Sequence, residues 1–79
     1  GRVWGISLGC FGPRYNAEEV LLKTGLADMS ALGGTLRKVQ STPKGYEANF
    51  LGMNQEMAGL ACRRLEARRI DCDVIGPPS

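Results

Sequence analysis

The hydrophobic pattern of this chain switches between the period of a strand and that of a helix in the order strand, helix, strand, strand, helix, strand, and few folds accept that order. In VWGISLGC, Trp4, Ile6, Leu8 and Cys10 alternate with Gly5, Ser7 and Gly9, as in a half-buried strand whose one face carries Cys10 with the apolar residues. FGPR turns the chain. Asn16 suits the N-cap of a first helix with the stripe Ala17, Val20, Leu21 and Thr24, and Glu18 and Glu19 complement the dipole of its first turn. Gly25 is expected to fray or bend this helix before SALGG, which reads as a loop. TLRKVQ and YEANFL, joined by STPKG, read as a hairpin. Asn54 suits the cap of a second helix with the stripe Ala58, Ala61, Cys62 and Leu65, Met57 beside it, and Arg63, Arg64, Arg68 and Arg69 largely outside. DCDVI closes the chain as a fourth strand.

Two right-handed βαβ crossovers of this kind predict an α+β fold of the ferredoxin-like or RNP-like type: a four-stranded antiparallel sheet with two helices on one face. The other face is left bare. A single domain over residues 1–76 is expected, followed by a short tail over 77–79, where GPPS ends the apolar pattern.

Cys62 lies in the middle of the second helix's apolar stripe, and Cys72 is in phase with Val74 on the last strand, so both thiols aim into the same layer. Helix-on-sheet packing at roughly 10 Å brings two inward Cβ atoms to bonding distance. A disulfide is the expected state, with two buried thiols acting as small hydrophobes as the alternative. A bridge would place the domain in an oxidising compartment. Cys10 would then be unpaired, either buried at the end of strand 1 or half exposed beside the turn.

At 79 residues the chain is one small module, a size at which a cross-link helps stability. A net charge of +2 does not argue for nucleic acid or an anionic membrane. The four arginines of the second helix are interrupted by Glu66 and read as a solvated face. No apolar run approaches the roughly 20 residues of a membrane span, and GRVWGISLGC lacks the features of a signal peptide, so an exported form is expected to owe its export to residues upstream. Histidine is absent, no C-x-x-C occurs and the three cysteines are dispersed; neither a metal nor a cofactor is expected. K-T-G at Lys23 to Gly25 and S-x-x-K at Ser41 to Lys44 match motifs of penicillin-binding serine enzymes. Here their order is reversed and no third element lies between them. No catalytic residue is assigned.

WGISLGCFGPRYNAEEVLLK resembles the opening of a SPOR domain, the sporulation-related repeat, in its aromatic-led strand, its turn with arginine and its Asn-Ala-Glu helix start. GYEANFLGMNQEMAGLACRRLEARRIDCDVIGP resembles the second half, including the cysteine-bearing helix and the Cys-x-Val strand. This cysteine-bearing version is similar to SPOR domains at the C-termini of alphaproteobacterial D-alanyl-D-alanine carboxypeptidases and other envelope proteins. The resemblance implies a periplasmic, monomeric, non-catalytic module that binds septal peptidoglycan at glycan strands stripped of stem peptides, through the sheet face away from the helices. Residue by residue, the family's strand-1 glutamine falls on Ser7 and its serine on Cys10, while its exposed basic positions in strand 3 fall on Glu47 and Asn49. These four are the candidate glycan-binding residues.

The acidic and amide residues at the basic positions also raise a rival expectation, a docking module for a protein or for a catalytic domain of the same chain. An RNA-binding sheet of this topology would need aromatics on the open face, where Gly5, Ser7, Gly9, Glu47 and Asn49 are expected instead.

Overall fold

The computed structural model describes residues 3–77, so the first two residues and most of the expected tail lie outside the described residues. Within them the chain forms β1 (Trp4–Phe11), α1 (Arg14–Ala27), α2 (Met29–Leu32), β2 (Leu36–Thr42), β3 (Gly45–Met53), α3 (Gln55–Ala67) and β4 (Asp73–Ile75). The strands make one antiparallel sheet in the order β2-β3-β1-β4. This is the expected ferredoxin-like arrangement, with one helical turn more than expected.

The alternation of β1 and β3 decides where the helices go. Ile6 pairs with Phe50 across the strands, and Leu8, Ala48 and Phe50 share its face. These side chains join Ala17 and Leu21 of α1, Leu32 of α2, and Ala58, Ala61, Cys62 and Leu65 of α3 in one buried cluster. All three helices therefore cover the same side of the sheet.

The helix boundaries depart from the sequence reading in instructive ways. Pro13, with φ −73° and ψ 144°, is the N-cap of α1, and Asn16 sits inside the first turn, its N–H donating to Pro13 O at 3.1 Å. Proline's fixed φ and missing N–H suit a helix start, so the turn residue begins the helix before the asparagine can. Gly25 does not fray α1. It faces Phe50, and a Cβ there would stand 3.6 Å from the ring, so packing against the sheet offsets the roughly 1 kcal/mol that glycine costs in a helix. Part of the expected SALGG loop is helical as α2, because that turn buries Leu32. In α3, Asn54 caps as expected, its Oδ1 accepting from Met57 N–H at 2.8 Å.

Two links hold α3 to the rest. One is the expected disulfide, Cys62–Cys72, with Cα atoms 5.3 Å apart, which ties the buried face of α3 to the approach to β4. The other had no sequence signal. Asp28, 3% exposed between α1 and α2, accepts a two-pronged bond from Arg64, Nε to Oδ2 at 2.7 Å and Nη2 to Oδ1 at 2.8 Å, and Ser30 Oγ donates to Oδ1 at 3.0 Å. Arg68 Nη1 donates to Ala27 O at 3.0 Å. Two of the arginines read as a solvated face thus clamp α3 to the end of α1.

The Arg64 bond holds the Asp28 carboxyl at about 2, below its ordinary 3.8, against the opposing effect of burial. Because the folded-state value is the lower one, this contribution to stability is complete above the ordinary value and is lost as pH falls through about 2. Arg64→Ala strands a buried carboxylate and should destabilise the fold. Asp28→Ala leaves an arginine whose side chain is already 44% exposed and can be resolvated, so a smaller loss is expected. Urea denaturation at neutral pH and near pH 3 checks both. The gap between wild type and Arg64→Ala should narrow in acid, and an equal gap at both pH values would contradict the assignment.

Candidate functional site on the open sheet face

The sheet face opposite the helices is built from cross-strand rows. Pairing of Lys38 with Asn49, Asn49 with Ser7, and Ser7 with Asp73 makes a polar row Lys38, Asn49, Ser7, Asp73 across all four strands. On one side of it lies Leu36, Leu51, Gly5, Ile75, an apolar row. On the other lie Gln40, Glu47 and Cys10.

Cys10 reaches this face through an irregularity that strict alternation misses. Between Ser7 and Cys10 the strand advances by one residue more than its partner, which goes from Asn49 to Glu47. The extra residue is accommodated at Gly9, whose φ of 108° is open to glycine and strained for other residues. The phase of β1 therefore flips, and Cys10, expected on the side of Ile6 and Leu8, stands exposed beside Glu47 on the open face. Its Sγ lies 3.9 Å from Thr42 Oγ1. The same flip turns Phe11 toward the core, opposite Tyr46.

Gly5 has a different role. A Cβ there would collide with Phe50 O and stand 2.8 Å from Leu51 Cδ2, so glycine lets the Leu51 side chain fold down over β1. The apolar row is in this way low and broad, with Leu36 68% exposed at its end.

At the centre, Ser7 and Asn49 are each only 5% exposed although no backbone element covers them. Ser7 Oγ accepts from Gly9 N–H at 3.2 Å, which ties the hydroxyl to the bulge. Asn49 Nδ2 donates to Glu47 Oε1 at 2.9 Å. A carboxylate only accepts, so this bond fixes the amide's orientation and turns Oδ1 the other way. There Asn49 Oδ1 has no hydrogen-bond partner, the only such buried side-chain polar atom among the described residues. A buried acceptor left unpaired costs roughly 1–3 kcal/mol, which a donor from outside would recover.

The face thus offers a fixed acceptor, a hydroxyl and charged rims of both signs beside a shallow apolar strip. Of the site residues read from sequence, Ser7, Glu47, Asn49 and Cys10 are brought together here. Lys38, Gln40, Asp73 and the leucine–isoleucine row were missed, although the hairpin register of TLRKVQ against YEANFL carried the signal for Lys38 and Gln40. The K-T-G stretch is inside α1, with Lys23 paired to Glu19 at 2.8 Å, while Ser41 lies within β2, so the two motif fragments belong to separate elements. Among the described residues no cluster of acidic, cysteine or histidine side chains could hold a metal ion, and no helix is long and apolar enough to cross a membrane.

Comparison with known proteins finds no matching family model, no matching curated protein and no matching solved structure.

Proposed function

We propose that this domain is a non-catalytic binding module for peptidoglycan glycan strands, working in the bacterial periplasm and tethering a larger envelope or cell-division protein to the septum. The observation that carries the reading is Asn49 Oδ1, an orphaned acceptor oriented by Glu47 at the centre of an open sheet face. Sugar hydroxyls and acetamido N–H groups are the neutral donors that satisfy such an atom, and the row of Leu36, Leu51 and Ile75 supplies surface for the apolar face of a sugar ring.

Other observations agree. A disulfide such as Cys62–Cys72 persists in oxidising compartments, the periplasm among them. The resemblance of the sequence to SPOR domains points to the same face and ligand. Ser7 is held by a backbone amide, and the chain has no histidine to activate it, which supports binding without catalysis.

Titration of the isotope-labelled domain with soluble N-acetylglucosamine oligosaccharides, followed by amide shifts, tests the site. Shifts should centre on Ser7, Glu47, Asn49 and Leu51. Asn49→Ala should weaken binding roughly 3–10-fold, the worth of one neutral hydrogen bond, and moderate salt should leave it nearly unchanged. Glu47→Ala removes the acceptor that orients the Asn49 amide and should weaken binding as well. Shifts confined to the helical side would contradict the reading.

A second reading is favoured by one observation. Glu47 presents a carboxylate on the face that also carries the exposed apolar row, across the polar row from it, a combination that suits a protein surface as well as a sugar, so a docking role for the same face is the alternative.

A further inference from the structure

We propose that the outer edge of β2, together with the groove between β2 and α1, is a docking site for an extended acidic–apolar peptide segment of a partner protein, which adds to the sheet as a fifth strand. The site shares Lys38 with the open face and does not depend on what that face binds.

Three observations converge on this edge. β2 is an outermost strand of seven residues paired only with β3, so its other side presents unpaired backbone N–H and C=O groups, ready for strand addition. The second observation is α1, which is apolar on its outer side too: Leu22 is 48% exposed and Leu26 64%, with Met29 beyond them also 64% exposed. These side chains stand over the helix-facing side of β2 and leave two hollows that share Leu22 and Arg37. One of about 420 Å³ is lined by Arg14, Glu18, Leu21, Leu22 and Val39, with Glu18 neutralised by Arg14 at 3.6 Å, the other of about 220 Å³ by Leu26, Met29, Leu32 and Phe50.

The third is charge. Arg37 points to the helix side at the junction of the hollows and Lys38 to the open face, and neither has an ion pair among the described residues. Edge-strand charges of this kind keep wrong strands away, and they do so selectively. A second copy pairing antiparallel over the whole of β2 would set Arg37 against Ser41 and Lys38 against Gln40, leaving both charges without a partner. A strand carrying acidic residues meets both charges favourably.

Period-2 alternation then specifies the occupant. A residue opposite Arg37 should be acidic, and residues two positions to either side, opposite Thr35 and Val39, should be apolar and fill the hollows, roughly 7 Å from the centre. The residue opposite Lys38 should also be acidic. In the antiparallel direction this reads Val-Glu-Asp-Thr-Leu.

The test is a titration of the labelled domain with a short synthetic peptide carrying Val-Glu-Asp-Thr-Leu at its centre. Amide shifts are expected along Leu36–Thr42, with methyl shifts at Leu22 and Leu26. N-methylating the peptide amides that face β2 should weaken binding at least about tenfold, because strand addition needs those donors. Replacing the peptide's central Asp by Lys should weaken it about tenfold, and Arg37→Glu, an exposed change that leaves the core untouched, should restore it. Absence of shifts at millimolar peptide, shifts confined to Ser7 and Asn49, or undiminished binding of the N-methylated peptide would overturn the proposal. So would concentration-dependent shifts of the β2 amides without peptide, which would assign the edge to a second copy.

Discussion

Phe50→Ala should leave the domain largely unfolded at room temperature. Phe50 is 1% exposed, the largest of the fully buried side chains, and it meets the last turn of α1 at Gly25. Truncating such a ring removes its transfer free energy and leaves a cavity that a small core closes only in part, about 3–5 kcal/mol in total. A core of this size rarely supplies more than about 3–5 kcal/mol, so the loss is comparable to the whole. Urea denaturation monitored by circular dichroism measures it. Phe50→Leu should be folded and destabilised by less, because it keeps most of the apolar volume. The effect reaches the open face, since Asn49 and Leu51 flank Phe50 on β3 and are aimed by its anchoring. A Phe50→Ala protein with a native-like transition would mean that the α1 packing contributes little.

Removing the Cys62–Cys72 bridge should cost about 2–3 kcal/mol, mainly by freeing the unfolded chain from a ten-residue loop. For a domain of this length that corresponds to a midpoint lowered by roughly 10–20 °C. The paired change Cys62→Ala with Cys72→Ala separates the bridge from any effect of reductant. Cys10 provides an internal control: exposed and unpaired, it should react with an alkylating reagent in the native protein, while denatured, unreduced protein should show one free thiol and reduced protein three. Three free thiols without reductant would contradict the bridge, and the case for an oxidising compartment would lose its physical support.

The disulfide was legible because it depends on phase alone: Cys62 in a helical stripe and Cys72 in step with Val74 have fixed directions once the element types are known. The same logic placed Ser7, Glu47 and Asn49 on one face. It failed for Cys10 because one glycine in a left-handed conformation, Gly9, shifts the phase of everything after it, and alternation assumes that phase is constant. Gly9 is itself the available signal, since an isolated glycine within a strand marks a candidate bulge. The Asp28–Arg64 pair lies 36 residues apart and follows no local period, so only the docking of α3 against the end of α1 creates it. The orphaned oxygen of Asn49 was invisible for a related reason: it results from the Glu47 bond and the burial around it, not from residue type.

The central claim is that the open face binds glycan strands, and co-sedimentation with purified sacculi tests it most directly. The domain should pellet with sacculi, more so after an amidase has stripped the stem peptides, and Asn49→Ala and Glu47→Ala should each pellet less. Background-level pelleting before and after amidase treatment, with Asn49→Ala no different from wild type, would contradict the account and leave the open face as a protein-docking surface.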